Sequence, residues 1–234
     1  MRCDLHIHSC YSFDSLAKPK DIINTAVSRG LQCIAIADHG NMKGYFEAAK
    51  YSQLFPLLII PAEEVKSKQG DILALNIKTP IPDKLSALET IGRIKQQNGT
   101  VVIPHPFGSL CRFKYDLKKI LNLIDGIEIL NASVFWGNGK AADFAKENDL
   151  PFTVGSDAHF ANQFIGKVWL DLPFDYSSAI TADYVIRAIK SKIGKPSGHA
   201  ANFCEAVLDH SRRSLTKLKA AKLATKKVGF NLPM

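Results

Sequence analysis

Short runs of β-forming residues alternate with helical patterns along most of this 234-residue chain. Strand-like runs include CDLHI, LQCIAIA, PLLIIPA, TVVIPH and GIEILNA. Alternation repeated this often is typical of an α/β fold with a mainly parallel sheet and helices outside it. About seven such units predict a closed or nearly closed barrel, and an open doubly wound sheet is the alternative.

A further strand is predicted at DILALNI, where Gly70 indicates a hairpin-like turn. Neither G-x-G-x-x-G nor G-x-x-x-x-G-K-[ST] occurs, so the nucleotide-binding sheets that carry those motifs have no support. No apolar run approaches the ~20 residues of a transmembrane helix, and MRCDLHIH lacks the apolar core of a secretory signal. We therefore expect a cytoplasmic protein without a transmembrane segment.

Histidine and carboxylate side chains follow the ends of several predicted strands. His6 and His8 are two residues apart at the end of the first strand, so both point to the same side. Because the carboxyl ends of parallel barrel strands meet at one mouth, we expect the following side chains to converge. The candidates are His6, His8, Asp14, Asp38, His39, Glu63, Glu64, His105, Asp157 and His159.

These donors are imidazoles and carboxylates without paired thiolates. That chemistry suits zinc, manganese or iron and argues against a closed structural zinc site. The donors are too many for one ion, so we expect two or three divalent ions with a bridging carboxylate. Such ions lie ~3.5–4 Å apart, stabilise a phosphoryl group in transfer and lower the pKa of bound water from ~15.7 toward ~7.

Six separate sequence blocks resemble, in order, the motifs of the polymerase and histidinol phosphatase (PHP) family. The blocks are DLHIHSCYSFDS, ADHG, PAEEV…GDILAL, IPHPF, GIEILNA and GSDAH. The resemblance implies a distorted seven-stranded (β/α)7 TIM-like barrel that binds up to three metal ions and acts on phosphoesters.

The resemblance also implies which residues bind each ion. It assigns His6, His8, Glu64 and Asp157 to the first ion, Glu64 and His105 to the second, and Asp14, His39 and His159 to the third. Glu64 is preferred to Glu63 because the family's acid lies three residues after a proline, here Pro61. Asp38 is expected to orient His39.

Two sequence blocks depart from the family pattern. Many members read GHIL where this chain reads GDIL, so Asp71 replaces a histidine that often binds the second ion. Many read PGxE where this chain reads PAEE, which is a milder change.

The candidate substrate contact is Arg112, in the loop FGSLCRFKYDL after His105. A guanidinium group pairs well with phosphate oxygens. A solvated surface charge is the alternative interpretation of this residue.

The net charge of +8 belongs to the C-terminal part of the chain. Residues 187–227 contain eleven Lys and Arg against two acids, which leaves the remainder close to neutral.

We divide the chain into a phosphoesterase barrel at 1–195 and a basic helical C-terminal extension at 196–234. The favoured interpretation of the extension is a helix docked on the barrel by an apolar face, namely Cys204, Leu208, Ser211, Leu215 and Leu218, with a solvated basic side. Contact with nucleic acid or another anionic surface is the alternative.

The sequence predicts a metal-dependent phosphoesterase that hydrolyses a small phosphomonoester or a nucleotide by means of a metal-activated water. One alternative is a non-catalytic barrel that binds RNA or protein, although such a protein would be expected to lose its ligands. Another alternative is an amidohydrolase-like enzyme that cleaves a C–N bond.

Overall fold

One mixed β-sheet of nine strands organises residues 1–108 and 113–228, which are the residues that this computed structural model describes. The strands are β1 (Arg2–Ile7), β2 (Cys33–Ile36), β3 (Leu58–Ser67), β4 (Gly70–Leu75), β5 (Thr100–Ile103), β6 (Gly126–Asn131), β7 (Phe152–Gly155), β8 (Val168–Asp171) and β9 (Lys195–Gly198). The helices in these ranges are α1 (Pro19–Ser28), α2 (Lys43–Ser52), α3 (Ala87–Gln96), α4 (Asn138–Glu147), α5 (Ala182–Lys190) and α6 (Phe203–Val228).

The sheet curls into a nearly closed barrel in which β7 approaches β1. Just after β7, the Asp157 amide donates to the His6 carbonyl oxygen at 2.7 Å, and the His8 amide donates to the Ala158 carbonyl oxygen at 2.9 Å. Gly155 permits this approach, because a Cβ at that position would lie 2.3 Å from the His6 Cβ. We call this junction the β1–β7 seam.

The prediction of seven strands was wrong, because the sheet has nine within the described ranges, in the order β7-β6-β5-β4-β3-β2-β1-β8-β9. β8 and β9 extend the sheet beyond β1 as antiparallel strands. The sequence of β9 is KPSG, and its residues are mostly exposed. It carries no alternation of apolar and polar residues, so the usual signal of a strand is missing.

β4 interrupts an otherwise parallel order from β7 to β1, because it pairs antiparallel with both β3 and β5. The predicted hairpin-like turn is confirmed, and Gly70 adopts a φ of 136° there. The segment DLKKILNLI between β5 and β6 has the composition of a helix, but it forms only a 3₁₀ turn at Leu117–Lys119. The Asp116 carboxylate caps that turn by accepting from the Lys118 amide at 3.1 Å.

Apolar residues fill the space between the sheet and its helices. All four residues of β2 are buried, as expected for a parallel strand that is covered on both faces. Helix α3 begins with a capping box in which Ser86 and Glu89 each bond the other's backbone amide. Among the described residues, no helix combines the length and the apolar character that a membrane crossing requires.

Helix α6 lies against the barrel mouth by its polar face, contrary to the expected apolar docking. Leu208, Leu215 and Leu218 are each more than half exposed, whereas Asp209 is fully buried and Thr216 is nearly so. The physical reason is that this end of the barrel presents imidazoles and carboxylates. A polar helix face can pair with those groups, whereas an apolar face would leave them without partners.

Candidate metal centre

The eight side chains that the family resemblance selects lie together at one end of the barrel. All are buried, and they come from β1 and β3 and from the segments after β1, β2, β5 and β7: His6, His8, Asp14, His39, Glu64, His105, Asp157 and His159. Glu63 faces the other side of β3, where its carboxylate accepts from the Ile81 amide at 2.7 Å. The alternation of side chains along a strand therefore separates Glu64 from its neighbour.

Four of the histidine rings are oriented by partners of their Nδ1 atoms. These partners are the Glu128 carboxylate for His6, the Ser12 hydroxyl for His8, the Glu64 carbonyl oxygen for His39 and the Asp157 carbonyl oxygen for His159, at 2.9–3.1 Å. A carbonyl oxygen can only accept, so the His39 and His159 rings carry their protons on Nδ1 when neutral. Their Nε2 lone pairs are then available to a metal ion.

The Nε2 atoms of His6 and His8 lie 3.1 Å apart at the centre of the cluster. Glu64 Oε2 is 3.4 Å from the first of these nitrogens and 3.2 Å from the second. Asp157 Oδ1 is 3.9 Å and 3.3 Å from the same two atoms. Two imidazole nitrogens and two carboxylate oxygens therefore surround one point.

Two further groups of donors adjoin that point. Glu64 Oε1 is 3.0 Å from His105 Nε2, so the two oxygens of one carboxylate face different donors. Asp14 Oδ2 lies 3.7 Å from His39 Nε2 and 3.5 Å from His159 Nε2. In the part of the chain that the structure describes, three sets have ligand atoms within 4.8 Å of one another, namely His6/His8/Asp157, His6/Glu64/His105 and His8/His39/His159.

The donor set fits bound cations. Asp14 Oδ1 and His105 Nδ1 are buried polar atoms that find no hydrogen-bond partner among the described residues. Nitrogen lone pairs 3.1 Å apart, as in His6 and His8, need either a proton or a metal ion between them. The mixture of imidazole and carboxylate suits zinc, manganese or iron.

The electrostatics of the cluster divide its histidines into two classes. Burial opposes a charge on His8 and His105, yet contacts with Glu64 and, for His8, Asp157 raise the pKa of each ring to about 9. Burial lowers the pKa of His39 to about 3, and burial together with Arg213 lowers that of His159 to about 4. In the absence of a cation, His8 and His105 hold protons near neutral pH, so metal binding there would release protons.

Two of the candidate ligands occupy left-handed backbone conformations. His105 has a φ of 31° and Asp157 has a φ of 51°. Such conformations cost a non-glycine residue on the order of 1–3 kcal/mol and are frequent at functional sites. Here they turn the chain abruptly after β5 and β7, where the side chains must point into the mouth.

The Asp71 carboxylate forms an ion pair with Lys66. Both of its carboxylate oxygens lie 3.3 Å from Lys66 Nζ, on the neighbouring strand. It therefore belongs to an ion pair beside Glu64 and His105 and to none of the three ligand sets above. The candidate substrate contact Arg112 lies outside the described residues.

Sequence reasoning missed Glu128, which is 1% exposed on β6. Its carboxylate accepts from His6 Nδ1 at 3.1 Å, from the His105 amide at 3.0 Å and from Asn131 Nδ2 at 2.9 Å. The available signal was an acid in the otherwise apolar run GIEIL, because a lone charge in a buried strand needs partners.

Asp38 acts on a different histidine from the one expected. Its carboxylate accepts from Ser9 and Ser12, and the Ser12 hydroxyl in turn contacts His8 Nδ1 at 3.1 Å. His39 is held instead by the Glu64 carbonyl oxygen. The prediction that Asp38 orients the His39 ring was therefore wrong.

We expect Glu128→Gln to weaken manganese or zinc binding by roughly 10–100-fold while the protein stays folded. The amide keeps the size of the carboxylate but removes the charge that orients His6 and strengthens it as a ligand. Competition with a metallochromic chelator measures the affinity. The control is Asp125→Asn, since Asp125 lies before the opposite end of β6 and pairs with Lys95 and Lys190. Equal affinities for the two variants would contradict the role assigned to Glu128.

Family comparisons agree with this geometry. The model of the PHP domain matches residues 4–82, and that of a PHP-associated region matches residues 135–192. An uncharacterised protein of Methanocaldococcus jannaschii is 34% identical over 143 residues, which are 56% of this chain and 82% of the relative. The chain belongs to the PHP domain family.

Solved structures show the same fold as this PHP domain protein. A two-domain protein of Bacteroides vulgatus, which contains a predicted PHP-like metal-dependent phosphoesterase, superposes with a TM-score of 0.71 at 16% identity. That match covers 85% of this chain and 65% of the other. An amidohydrolase of Chromobacterium violaceum, solved with bound sulfate and no metal, gives a TM-score of 0.59 at 17% identity over 82% of this chain and 97% of the other.

Proposed function

We propose that this protein is a metal-dependent phosphoesterase that hydrolyses a phosphomonoester or a nucleotide-type substrate. The observation that carries the proposal is the convergence of five imidazoles and three carboxylates in one buried cluster. When bound, two or three ions of zinc, manganese or iron would supply a hydroxide near neutral pH and neutralise the phosphoryl group. Hydrolysis by a metal-activated water agrees with what the PHP family resemblance implies, and it requires no serine or cysteine nucleophile.

The ligand roles follow the three groups of donors. We assign His6, His8, Glu64 and Asp157 to the first ion, Glu64 and His105 to the second, and Asp14, His39 and His159 to the third. The second ion position has the fewest candidate ligands, because Asp71 replaces the histidine found in many members of the family and is paired with Lys66. We therefore expect two ions to bind more tightly than a third.

The chain's own residues have defined tasks in this scheme. Glu64 joins two ligand groups through its separate oxygens, which fixes the spacing between them. Glu128 and Ser12 hold the His6 and His8 rings in place before any ion binds. Arg112 remains the predicted contact to substrate phosphate.

The experiment is a hydrolysis screen on the purified protein, with its metal content measured. We expect manganese or zinc to support release of phosphate from p-nitrophenyl phosphate or nucleoside monophosphates, and EDTA to abolish it. Short oligonucleotides belong in the same screen. A fully metal-loaded protein that releases no phosphate from any of these compounds would contradict the proposal.

An amidohydrolase-like activity is the second candidate, and one observation favours it. A structural neighbour is itself named an amidohydrolase, although the low identity relates only its fold to this chain. Adding N-acyl and cyclic amide substrates to the screen separates the two reactions. Metal-dependent cleavage of a C–N bond without phosphate release would support this alternative.

A further inference from the structure

Helix α6 places two cationic side chains against the candidate third ion site. Arg213 Nη1 lies 3.4 Å and 3.5 Å from the two ring nitrogens of His159 and 3.8 Å from Asp157 Oδ2. Lys217 Nζ lies 3.4 Å from Asp14 Oδ2. Since Arg213 and Lys217 are four residues apart on one helix, they share a face and reach adjacent ligands.

Arg213 is held in this position by α6 and by the segment after β6. Its Nε is 2.8 Å from the carboxylate of Asp209, one turn earlier on the helix, and Asp209 is fully buried. Its Nη2 is 3.5 Å from the Ser133 hydroxyl, which also donates to Asp157 at 2.7 Å. The contacts with Asp209 and Ser133 therefore orient the guanidinium group toward the ligand cluster.

Lys217 contacts the cluster at Asp14, beside the ring of Phe13. Its ammonium group lies 5.4 Å from the centre of the Phe13 ring, and Lys66 Nζ lies 5.7 Å from the same ring. The Lys217 side chain is 46% exposed, so its ammonium group is accessible to a molecule that approaches from solvent. The Arg213 side chain is 17% exposed, so Arg213 lies deeper against the cluster and Lys217 lies nearer to solvent.

Loading the cluster with divalent ions would place like charges beside these two side chains. Cations at such short range repel one another unless an anion lies between them. Guanidinium and ammonium groups together with divalent ions are the usual surroundings of a phosphate group. The Asp14 and Asp157 carboxylates already lie against Lys217 and Arg213, but two or three divalent ions together with these side chains would carry more positive charge than the three ligand carboxylates can balance. An anion bound where α6 meets the third ligand group would offset that excess.

We propose that Arg213 and Lys217 bind the phosphate group of the substrate, so that α6 forms one wall of the substrate site. This inference rests on the proposed phosphoesterase function and deepens it. Because α6 covers the side of the mouth formed by the segments after β1, β6 and β7, a phosphate at the end of a molecule can enter. An internal phosphodiester carries a substituent on each side of the phosphate, and α6 would obstruct one of the two. The substrate class is therefore a terminal phosphomonoester.

The test compares Arg213→Met and Lys217→Met with the matched control Lys219→Met. Lys219 is exposed and lies two residues from Lys217, which turns it to a different side of the helix. Binding of inorganic phosphate to the manganese-loaded protein is measured by calorimetry. The Michaelis constants are measured with p-nitrophenyl phosphate and bis(p-nitrophenyl) phosphate. Manganese content and circular dichroism are recorded for each variant.

We expect the phosphate dissociation constant to rise roughly 10–100-fold in Arg213→Met and about 5–20-fold in Lys217→Met, as for lost hydrogen bonds to charged groups. The control stays within about twofold of the wild type. The preference for the monoester over the diester falls in both variants, while manganese content stays unchanged. If Arg213→Met unfolds because Asp209 loses its partner, Lys217→Met alone decides the question.

Phosphate binding is measured without turnover, so its outcome is separate from that of the proposed function. Wild-type phosphate affinity in both folded variants overturns the inference, even when the enzyme is active. Loss of phosphate binding in a protein that hydrolyses no phosphoester supports the binding site and overturns the proposed function. Equal losses toward monoester and diester overturn the assigned substrate class.

Discussion

Replacing Glu64 with glutamine is expected to reduce metal-dependent hydrolysis by at least about 10³-fold. Glu64 Oε1 faces His105, whereas Oε2 faces His6 and His8, so one carboxylate serves two ligand groups. The amide retains the shape but removes the negative charge that both ions would share. Metal-ion catalysis contributes several kcal/mol, and each 1.36 kcal/mol is a factor of ten in rate.

Initial rates with p-nitrophenyl phosphate and metal content per molecule measure this effect together. Glu63→Gln is the matched control, because Glu63 is adjacent, buried and directed to the opposite side of β3 toward Ile81. We expect the control to retain most of the activity. A Glu64→Gln enzyme within tenfold of the wild type would show that this carboxylate does not join the two ions.

Removal of metal is expected to lower the melting temperature by roughly 5–15 °C. An ion present at 100–1,000 times its dissociation constant stabilises the folded state by about 2.7–4.1 kcal/mol. For a chain of this size, each kcal/mol corresponds to about 2–4 °C.

Differential scanning fluorimetry after EDTA treatment, followed by addition of manganese, zinc, magnesium or calcium, measures this stabilisation. Zinc and manganese should restore stability more than magnesium or calcium, which prefer sites made of oxygen donors. His8→Ala should remove the response, whereas His199→Ala, at an exposed position outside the cluster, should keep it. A wild-type melting temperature that does not change on addition of any of these metals would argue against a metal centre.

The central cluster could be anticipated because its signals are local. Histidines two residues apart share a face of a strand, and parallel strands bring their carboxyl ends to one mouth. These two rules are enough to gather His6, His8, Asp157 and His159. The selection of Glu64 over Glu63 needed the family resemblance, because both follow the same strand and only the register decides between them.

The parts that could not be predicted depend on contacts between distant segments. Glu128 orients His6 although the two residues are 122 positions apart in the sequence, and no local sequence pattern predicts that contact. The docking face of α6 was predicted from its apolar residues, but the surface it meets is polar, so Arg213 and Asp209 decide the orientation. A helix read by itself cannot reveal the chemistry of the surface that receives it.

The β1–β7 seam has a consequence for biosynthesis. His6 and Asp157 are joined there by a backbone hydrogen bond, although about 150 residues of chain separate them. During translation the amino-terminal histidines leave the ribosome long before the strand that completes their surroundings. The complete donor cluster therefore cannot assemble before β7 has been synthesised, and a truncated or stalled product would carry only part of the set of candidate ligands.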